Sequence, residues 1–257
     1  MGGAQATRAI TRRISPRFNE CEITHIDRTP IDLEIARAQH LKYVQALEKL
    51  RCEVIDLPAE IDLPDSVFVE DTAFILPEVA VITRPGADSR KPETESIIQA
   101  LSPYKPLLCV SEPATVDGGD VLVLDKNIYI GLSLRSNQQA VEQIQNLLQP
   151  YGYLVCGVEM HDCLHLKSAL TRVDDHTVLI NPNWVDIAPF KDLQWIEVDE
   201  SEPFAANCLP LNGQVIYPMS FPKTIKKLEA HGCQILPVEV DELAKAEGAV
   251  TCCSLIL

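Results

Sequence analysis

The sequence predicts a mixed α/β protein assembled from five copies of one strand–strand–helix–strand unit. Three observations predict it. A short polar motif opens an apolar strand at five places, two-residue turns follow most of those strands, and helical periodicity fills much of the remainder. The openings are Phe68-Val69-Glu70-Asp71, Val116-Asp117-Gly118-Gly119-Asp120, Leu164-His165-Leu166-Lys167-Ser168, Ala205-Ala206-Asn207-Cys208 and Val250-Thr251-Cys252-Cys253. Measured between Asp71, Asp120, Lys167, Cys208 and Cys253, the intervals are 49, 47, 41 and 45 residues. A recurrence of that length is the sign of a modular array. A plain α/β sheet with a coincidental recurrence is the alternative.

The elements follow in order. Residues 8–14 read as a strand that completes the fifth unit, whose own first strand stands at the C-terminus. In 31–50 the apolar Ile35, Ala38, Leu41, Val44 and Leu47 recur every three residues and predict a helix, followed by a strand at 54–57. The Glu70-Asp71 unit turns at Pro77-Glu78 into a strand at 79–83, then a helix at 93–101 and a strand at 107–110. The Asp117 unit turns at Asp125-Lys126 into 127–131, then a helix at 137–148 and a strand at 154–158. The His165 unit is legible only in its two strands, which turn at Asp174-Asp175 into 177–181. The Asn207 unit turns at Asn212-Gly213, the strongest two-residue hairpin signal, into 214–217. A helix at 222–230, a strand at 234–238 and a short helix at 241–246 follow. The apolar string from Ala249 to Leu257 reads as a buried strand that carries Cys252 and Cys253, so the ring of units closes by joining the chain ends.

Composition bounds the function. The chain has 257 residues, 46% of them hydrophobic, enough for one large domain with a sizeable core. A net charge of −15 argues against nucleic-acid and acidic-membrane partners, which would be repelled, and is compatible with a cationic small substrate. No run of about 18 apolar residues exists to span a bilayer, and the start, Met1 to Arg13, is polar and basic without a secretory core. Nine cysteines at irregular spacings form no disulfide framework and no matched C-x-x-C pairs. A reduced, cytoplasmic protein whose cysteines are mostly inert core fillers is expected.

If the units repeat about an axis, equivalent motif positions converge. The set is then Glu70, Asp71, Asp117, His165, Asn207 and Cys252. A thiol, an imidazole and several carboxylates in one cleft suit covalent catalysis on a cationic group. The thiolate attacks, the imidazole moves protons, and the carboxylates orient and neutralise the cation. Bland readings stand beside each. A cysteine in an apolar strand is usually core, Asp117-Gly118-Gly119-Asp120 is also a tight turn, and Glu70-Asp71 is also a solvated pair. His165 is set apart by Leu164 and Leu166, which place it on the opposite face of a strand from themselves. His25, His40, His161, His176 and His231 read as surface or locally bonded.

At these residues the chain resembles the dimethylarginine dimethylaminohydrolase family of the guanidino-modifying, or pentein, superfamily. The resemblance covers nearly the whole chain. It is carried by Asp65-Ser66-Val67-Phe68-Val69-Glu70-Asp71, by the stretches 82–90, 117–122 and 131–138, and by Leu164-His165-Leu166-Lys167-Ser168, Ala205-Ala206-Asn207-Cys208 and Thr251-Cys252-Cys253-Ser254. It implies a five-bladed α/β propeller of ββαβ modules with pseudo-fivefold symmetry, 1–257 forming a single catalytic domain. It implies Cys252 as nucleophile, His165 as general acid and base, and Asp117 as the carboxylate that orients the imidazole. Glu70 and Asp71 would face the guanidinium with Phe68 beside them. Asp65 would bind the α-amino group, Arg90 and Arg135 the α-carboxylate, and Ile14 and Ala246 would give main-chain contacts. Which of the two vicinal cysteines attacks is carried by the resemblance; strand alternation allows only one to face the cleft.

The implied reaction converts Nω-methylated L-arginines to L-citrulline and a methylamine through a Cys-bound thiouronium. It needs no cofactor and no metal; zinc on the thiolate would inhibit. The implied partner is the small substrate alone, on a monomer or homodimer. The alternatives are an arginine deiminase or another guanidine or ureido hydrolase of the same superfamily, and a non-catalytic propeller that binds a ligand. Arginine deiminases usually carry an extra helical insertion, for which this chain has no room.

Overall fold

A computed structural model describes residues 7–257. The polar start proposed for Met1 to Arg13 therefore lies partly outside the described residues. The chain opens with β1 (Arg8–Arg12), α1 (Leu33–Lys49) and β2 (Glu53–Leu57). Next come β3 (Ala73–Ile75), β4 (Ala80–Ile82), α2 (Thr94–Leu101) and β5 (Leu107–Cys109), then β6 (Val121–Leu124), β7 (Asn127–Leu132), α3 (Gln138–Leu148) and β8 (Leu154–Glu159). They are followed by α4 (Leu166–Ala169), β9 (Leu170–Arg172), β10 (Thr177–Ile180) and β11 (Gln194–Glu197). The last elements are β12 (Leu209–Leu211), β13 (Gln214–Pro218), α5 (Pro222–Ala230), β14 (Ile235–Val238), α6 (Asp241–Ala244) and β15 (Leu255–Ile256).

The strands form five three-stranded sheets, β15-β1-β2, β3-β4-β5, β6-β7-β8, β9-β10-β11 and β12-β13-β14. In each, the first pairing is antiparallel and the second parallel. The parallel step needs a crossover. Helices α1, α2, α3 and α5 supply it in four sheets. Between β10 and β11 only a 3₁₀ turn, Ala188–Phe190, fits, because the connection is short and carries Pro189. The sheet β15-β1-β2 joins the chain ends: Ala9 faces Ile256, Ile10 faces Leu255, and Leu257 and Arg8 exchange backbone hydrogen bonds of 2.8 and 3.2 Å.

Alternation along the middle strands explains the packing. Successive side chains of a strand point to opposite faces. Ile128 and Ile130 of β7 enter one apolar cluster while Tyr129 packs on the next. Val178 and Ile180 of β10 divide from Leu179 in the same way, as do Val215 and Tyr217 of β13 from Ile216, and Ala9 of β1 from Ile10. Each of the five clusters thus draws on two consecutive sheets, and the last sheet shares one with the first. Both faces of every middle strand pack against apolar clusters. A side chain such as Ile130 or Tyr217, with no exposed surface, contributes about 2–3 kcal/mol by leaving water.

Local signals explain the boundaries. Asp32 caps α1 by accepting from Glu34 N and Ile35 N, and Asn137 caps α3 by accepting from Ala140 N. Pro222 occupies the first turn of α5, where its missing N–H is not needed. Asn212 and Gly213, with φ of +48° and +84°, make the left-handed turn that Asn-Gly predicts between β12 and β13.

The structure corrects the predicted faces in three places. The buried stripe of α1 is Ala36, Gln39, His40, Tyr43, Ala46 and Leu47, while Ile35 and Leu41 are exposed. A strict three-residue spacing drifts around a helix of 3.6 residues per turn, so it cannot mark one face. His40 is consequently buried, not superficial. The segment 164–170 is not a strand from its start: His165 caps the one-turn helix α4 with extended φ and ψ of −131° and 157°. Likewise Thr251–Cys253 form a turn, and the terminal strand begins only at Leu255.

Candidate active site

Each of the five polar motifs occupies the turn or single helical turn that precedes the first strand of a sheet. Val69–Thr72 precedes β3, Gly118–Asp120 precedes β6, α4 precedes β9, the turn at Asn207 precedes β12, and the turn at Cys252 precedes β15. A turn frees side chains from sheet alternation, so consecutive residues can serve different surroundings. Asp71 and Cys252 line a narrow cavity with His165, whereas their neighbours Glu70 and Thr251 line a second, larger cavity that contains neither the Cys252 thiol nor the His165 imidazole. The smaller one joins the Cys252 thiol to the His165 imidazole.

Its remaining wall comes from Glu22, Asp65, Phe68, Arg90, Arg135, Leu164, Ala246, Glu247 and Gly248. Asp117 stands behind His165 with no exposed surface. Its Oδ2 lies 3.1 Å from His165 Nε2, and its Oδ1 accepts Gly86 N at 2.8 Å. Asp71 is pinned on both oxygens: Oδ1 accepts Gly119 N at 3.0 Å and Oδ2 pairs with Arg90 Nη1 at 2.6 Å. Arg90 is also bound by both oxygens of Glu93, at 3.1 and 2.9 Å. The two glycines of the Asp117 motif permit this density. A Cβ at Gly118 would sit 1.9 Å from Glu70 O, and one at Gly119 would sit 2.7 Å from His165 Nδ1.

Asp65 accepts Glu22 N on both oxygens at 3.2 Å, and Arg135 Nη2 donates to Thr24 Oγ1 at 3.2 Å. Glu247 accepts Thr24 N at 2.7 Å and His25 N at 2.6 Å. The loop 22–25 is thereby stitched to the cavity wall. Gly248 lets the ring of Phe68 close against it, since a Cβ there would lie 2.2 Å from that ring.

The structure brings Cys252, His165, Asp65, Phe68, Asp71, Arg90, Arg135 and Ala246 to one wall, with Asp117 behind it. It does not bring Ile14 or Glu70 there. Ile14 packs in an apolar cluster, and Glu70 pairs with Lys167 Nζ at 2.7 Å, accepts Thr251 Oγ1 at 2.7 Å and donates its own N–H to Cys252 O at 3.1 Å. Cys253 points into the core, its Sγ 3.7 Å from Ala249 O.

Known proteins share this sequence and fold. Residues 19–256 match the model of the eukaryotic N,N dimethylarginine dimethylhydrolase family. The chain belongs to that family. It is 38% identical over 255 residues to the dimethylarginine dimethylaminohydrolase of Streptomyces coelicolor, covering 97% of this chain and 96% of the relative. To the Pseudomonas aeruginosa enzyme of the same name it is 35% identical over 226 residues, 87% of this chain and 89% of the relative. A solved P. aeruginosa structure, a cysteine-to-serine variant complexed with citrulline, superposes with a TM-score of 0.94 at 32% identity, covering 99% of this chain and 100% of the other.

The charges at this dimethylargininase-family site are set by burial and by each other. Burial pushes the Cys252 thiol well above its ordinary range, and Glu70 and Asp71 push it further. Burial alone would lower His165, but Asp71, Asp120 and Asp117 outweigh it and raise the imidazole to about 9. Burial alone would raise Asp71, but Arg90 and His165 bring it to about 2. The resting site therefore holds a neutral thiol, an imidazolium and a carboxylate. Donor atoms of Asp71, Asp117 and His165 lie within 4.8 Å of one another, close enough for a cation, yet Arg90 and backbone N–H groups already occupy the carboxylates.

Glu22, Leu164, Glu247 and Gly248 escaped the sequence reading. Glu22 and Glu247 sit on loops without periodicity. Leu164 was assigned to the face opposite His165 by strand alternation that a turn does not obey. Glu247-Gly248 carries the one available signal, a Gly just past the short helix predicted at 241–246.

Proposed function

We propose that this chain hydrolyses Nω-methylated L-arginines to L-citrulline and a methylamine. The observation that carries the reading is the shared cavity of Cys252 and His165, walled by buried carboxylates and by Arg135. A guanidinium entering beside Asp71 replaces an unfavourable field at the sulfur with a favourable one, which lowers the cost of the thiolate. The thiol proton leaves to solvent, and Cys252 S⁻ adds to the guanidinium carbon. The His165 imidazolium gives its proton to the methylated nitrogen, the C–N bond breaks, and an S-linked thiouronium remains. Water then adds to the same carbon as His165 takes its proton. The C–S bond breaks, the hydroxyl proton is released to solvent, the thiolate is restored, and the neutral ureido group of citrulline is left. Citrulline bound to the P. aeruginosa relative is the product of this sequence.

Asp117 holds one ring nitrogen and fixes the imidazole. Phe68 and Leu164 supply apolar wall beside the reacting carbon. Asp65 and Arg135 offer a carboxylate and a guanidinium to the zwitterionic end of an amino acid. Glu70 acts from behind through Cys252 and Thr251. The five clusters, each shared by consecutive sheets, support the reading of 7–257 as one closed five-bladed propeller and one catalytic unit. Nine free cysteines suit a reducing compartment.

The test is citrulline release from dimethylarginine, monomethylarginine and arginine by the wild type and by Cys252→Ser. The methylated substrates should be turned over by the wild type alone. Turnover by folded Cys252→Ser at about the wild-type rate removes the covalent mechanism. Preference for arginine makes the chain a deiminase.

A further inference from the structure

We infer that Asn207 is a positioning residue that sets the separation between the sulfur of Cys252 and the imidazole of His165. The inference deepens the hydrolase reading and rests on it.

Asn207 lies in the turn before β12, is 4% exposed and does not line the catalytic cavity. It therefore has no route to substrate. Both amide N–H groups and the amide oxygen are engaged instead. Nδ2 donates to Lys167 O at 3.0 Å and to Thr251 Oγ1 at 3.0 Å, and Oδ1 accepts Thr251 N at 3.1 Å. Thr251 is the residue before Cys252, and Lys167 is two residues beyond His165. One planar group thus clamps the turn that carries the thiol to the turn that carries the imidazole. Thr251 Oγ1 passes the link on to Glu70 Oε2 at 2.7 Å, and Glu70 also holds Lys167 Nζ.

The chemistry selects asparagine. The position needs two donors and one acceptor in a plane at short reach. Aspartate supplies the acceptor but neither donor, glutamine is longer by a methylene, and alanine supplies nothing. Cys252 and His165 come from sheets that share no strand, so their spacing depends on cross-links between turns. Loss of this clamp leaves Lys167 O, Thr251 N and Thr251 Oγ1 with one partner fewer in a buried site, and the two turns relax independently.

The experiment compares wild type, Asn207→Ala and Asn207→Asp by three measurements: thermal melting, kcat and KM for dimethylarginine, and the pH profile of Cys252 carbamidomethylation by iodoacetamide, followed by peptide mass spectrometry. Asn207→Asp differs from the wild type by one atom and decides the matter if Asn207→Ala does not fold. Both folded variants should lose on the order of 10–100-fold in kcat, the effect of a displacement approaching 1 Å. KM should stay within about threefold, because the clamp touches no substrate. Asn207→Asp should also shift carbamidomethylation to higher pH, since it adds a carboxylate beside Glu70. A folded variant with kcat within about twofold of wild type overturns the inference, as does a loss confined to KM. So does an Asn207→Asp profile that superposes on the wild type. Failure of the hydrolase reading looks different: the wild type then releases no citrulline, and the alkylation profile still judges Asn207.

Discussion

Replacing Gly119 by alanine places a methyl carbon 2.7 Å from His165 Nδ1 and 2.9 Å from both Asp71 Oδ1 and His165 Cγ. Ordinary contact begins at 3.4 Å, so the imidazole or the carboxylate must retreat by about 0.5–0.7 Å. Neither is free to do so. The carboxylate is held by Arg90 and by the N–H of Gly119 itself, and the imidazole by Asp117 at 3.1 Å. Overpacking of this kind costs about 1–3 kcal/mol of stability. A shift of that size at His165, the proposed proton-transfer group, should lower kcat by about 10–100-fold, a barrier increase of about 1.4–2.7 kcal/mol. KM should change less than kcat, because Asp65 is bound by Glu22 N, and Arg135 by Thr24 as well as by Asp117. Steady-state citrulline formation and a circular-dichroism melt make the comparison. A Gly119→Ala enzyme that melts with the wild type and turns over within about twofold of it refutes the claim that the glycine exists to admit the imidazole.

Stability should fall through mildly alkaline pH. His165 is raised from 6.5 to about 9 in the folded protein, so its contribution is complete below about pH 6.5 and lost as pH rises through about 9. The amount is about 3 kcal/mol at most, and a melt of His165→Gln across pH 6 to about 9.5 should lack that decline. Asp117→Asn removes the charge that orients the ring and should lower kcat by about 10²–10⁴-fold while moving the imidazole ionisation toward acid, read from the pH–rate profile. Cys253→Ser should retain turnover and cost about 1 kcal/mol of stability, because its sulfur packs in the core near Ala249 O; equal loss to Cys252→Ser would assign the chemistry to the vicinal pair.

The recurring openings were legible because turns before strands keep their spacing when the units repeat. Four of the five crossover helices or turns were legible from helical periodicity; the fifth was not, because Ala188–Phe190 is too short for any periodicity. Strand alternation was the wrong rule for the site itself. His165, Glu70-Asp71 and Cys252-Cys253 lie in turns, where adjacent residues diverge toward different cavities or the core. Sequence order therefore identified which motif mattered but not which of Glu70 and Asp71 reaches the cavity. Glu22 and Glu247 were invisible for a different reason: each matters only because a distant loop folds against it.

The pairing of β1 with β15 has a consequence for how the protein fails. These strands stand almost the whole chain apart, so their union closes the largest loop in the molecule and is among the costliest contacts to make. The Cys252 sulfur sits three residues before that seam. When heat or denaturant first loosens the protein, this junction is a natural place to open, and the helices need not yet have melted. Catalysis should vanish on a shallower gradient than ellipticity, leaving a population that still looks native to the spectrometer and does nothing.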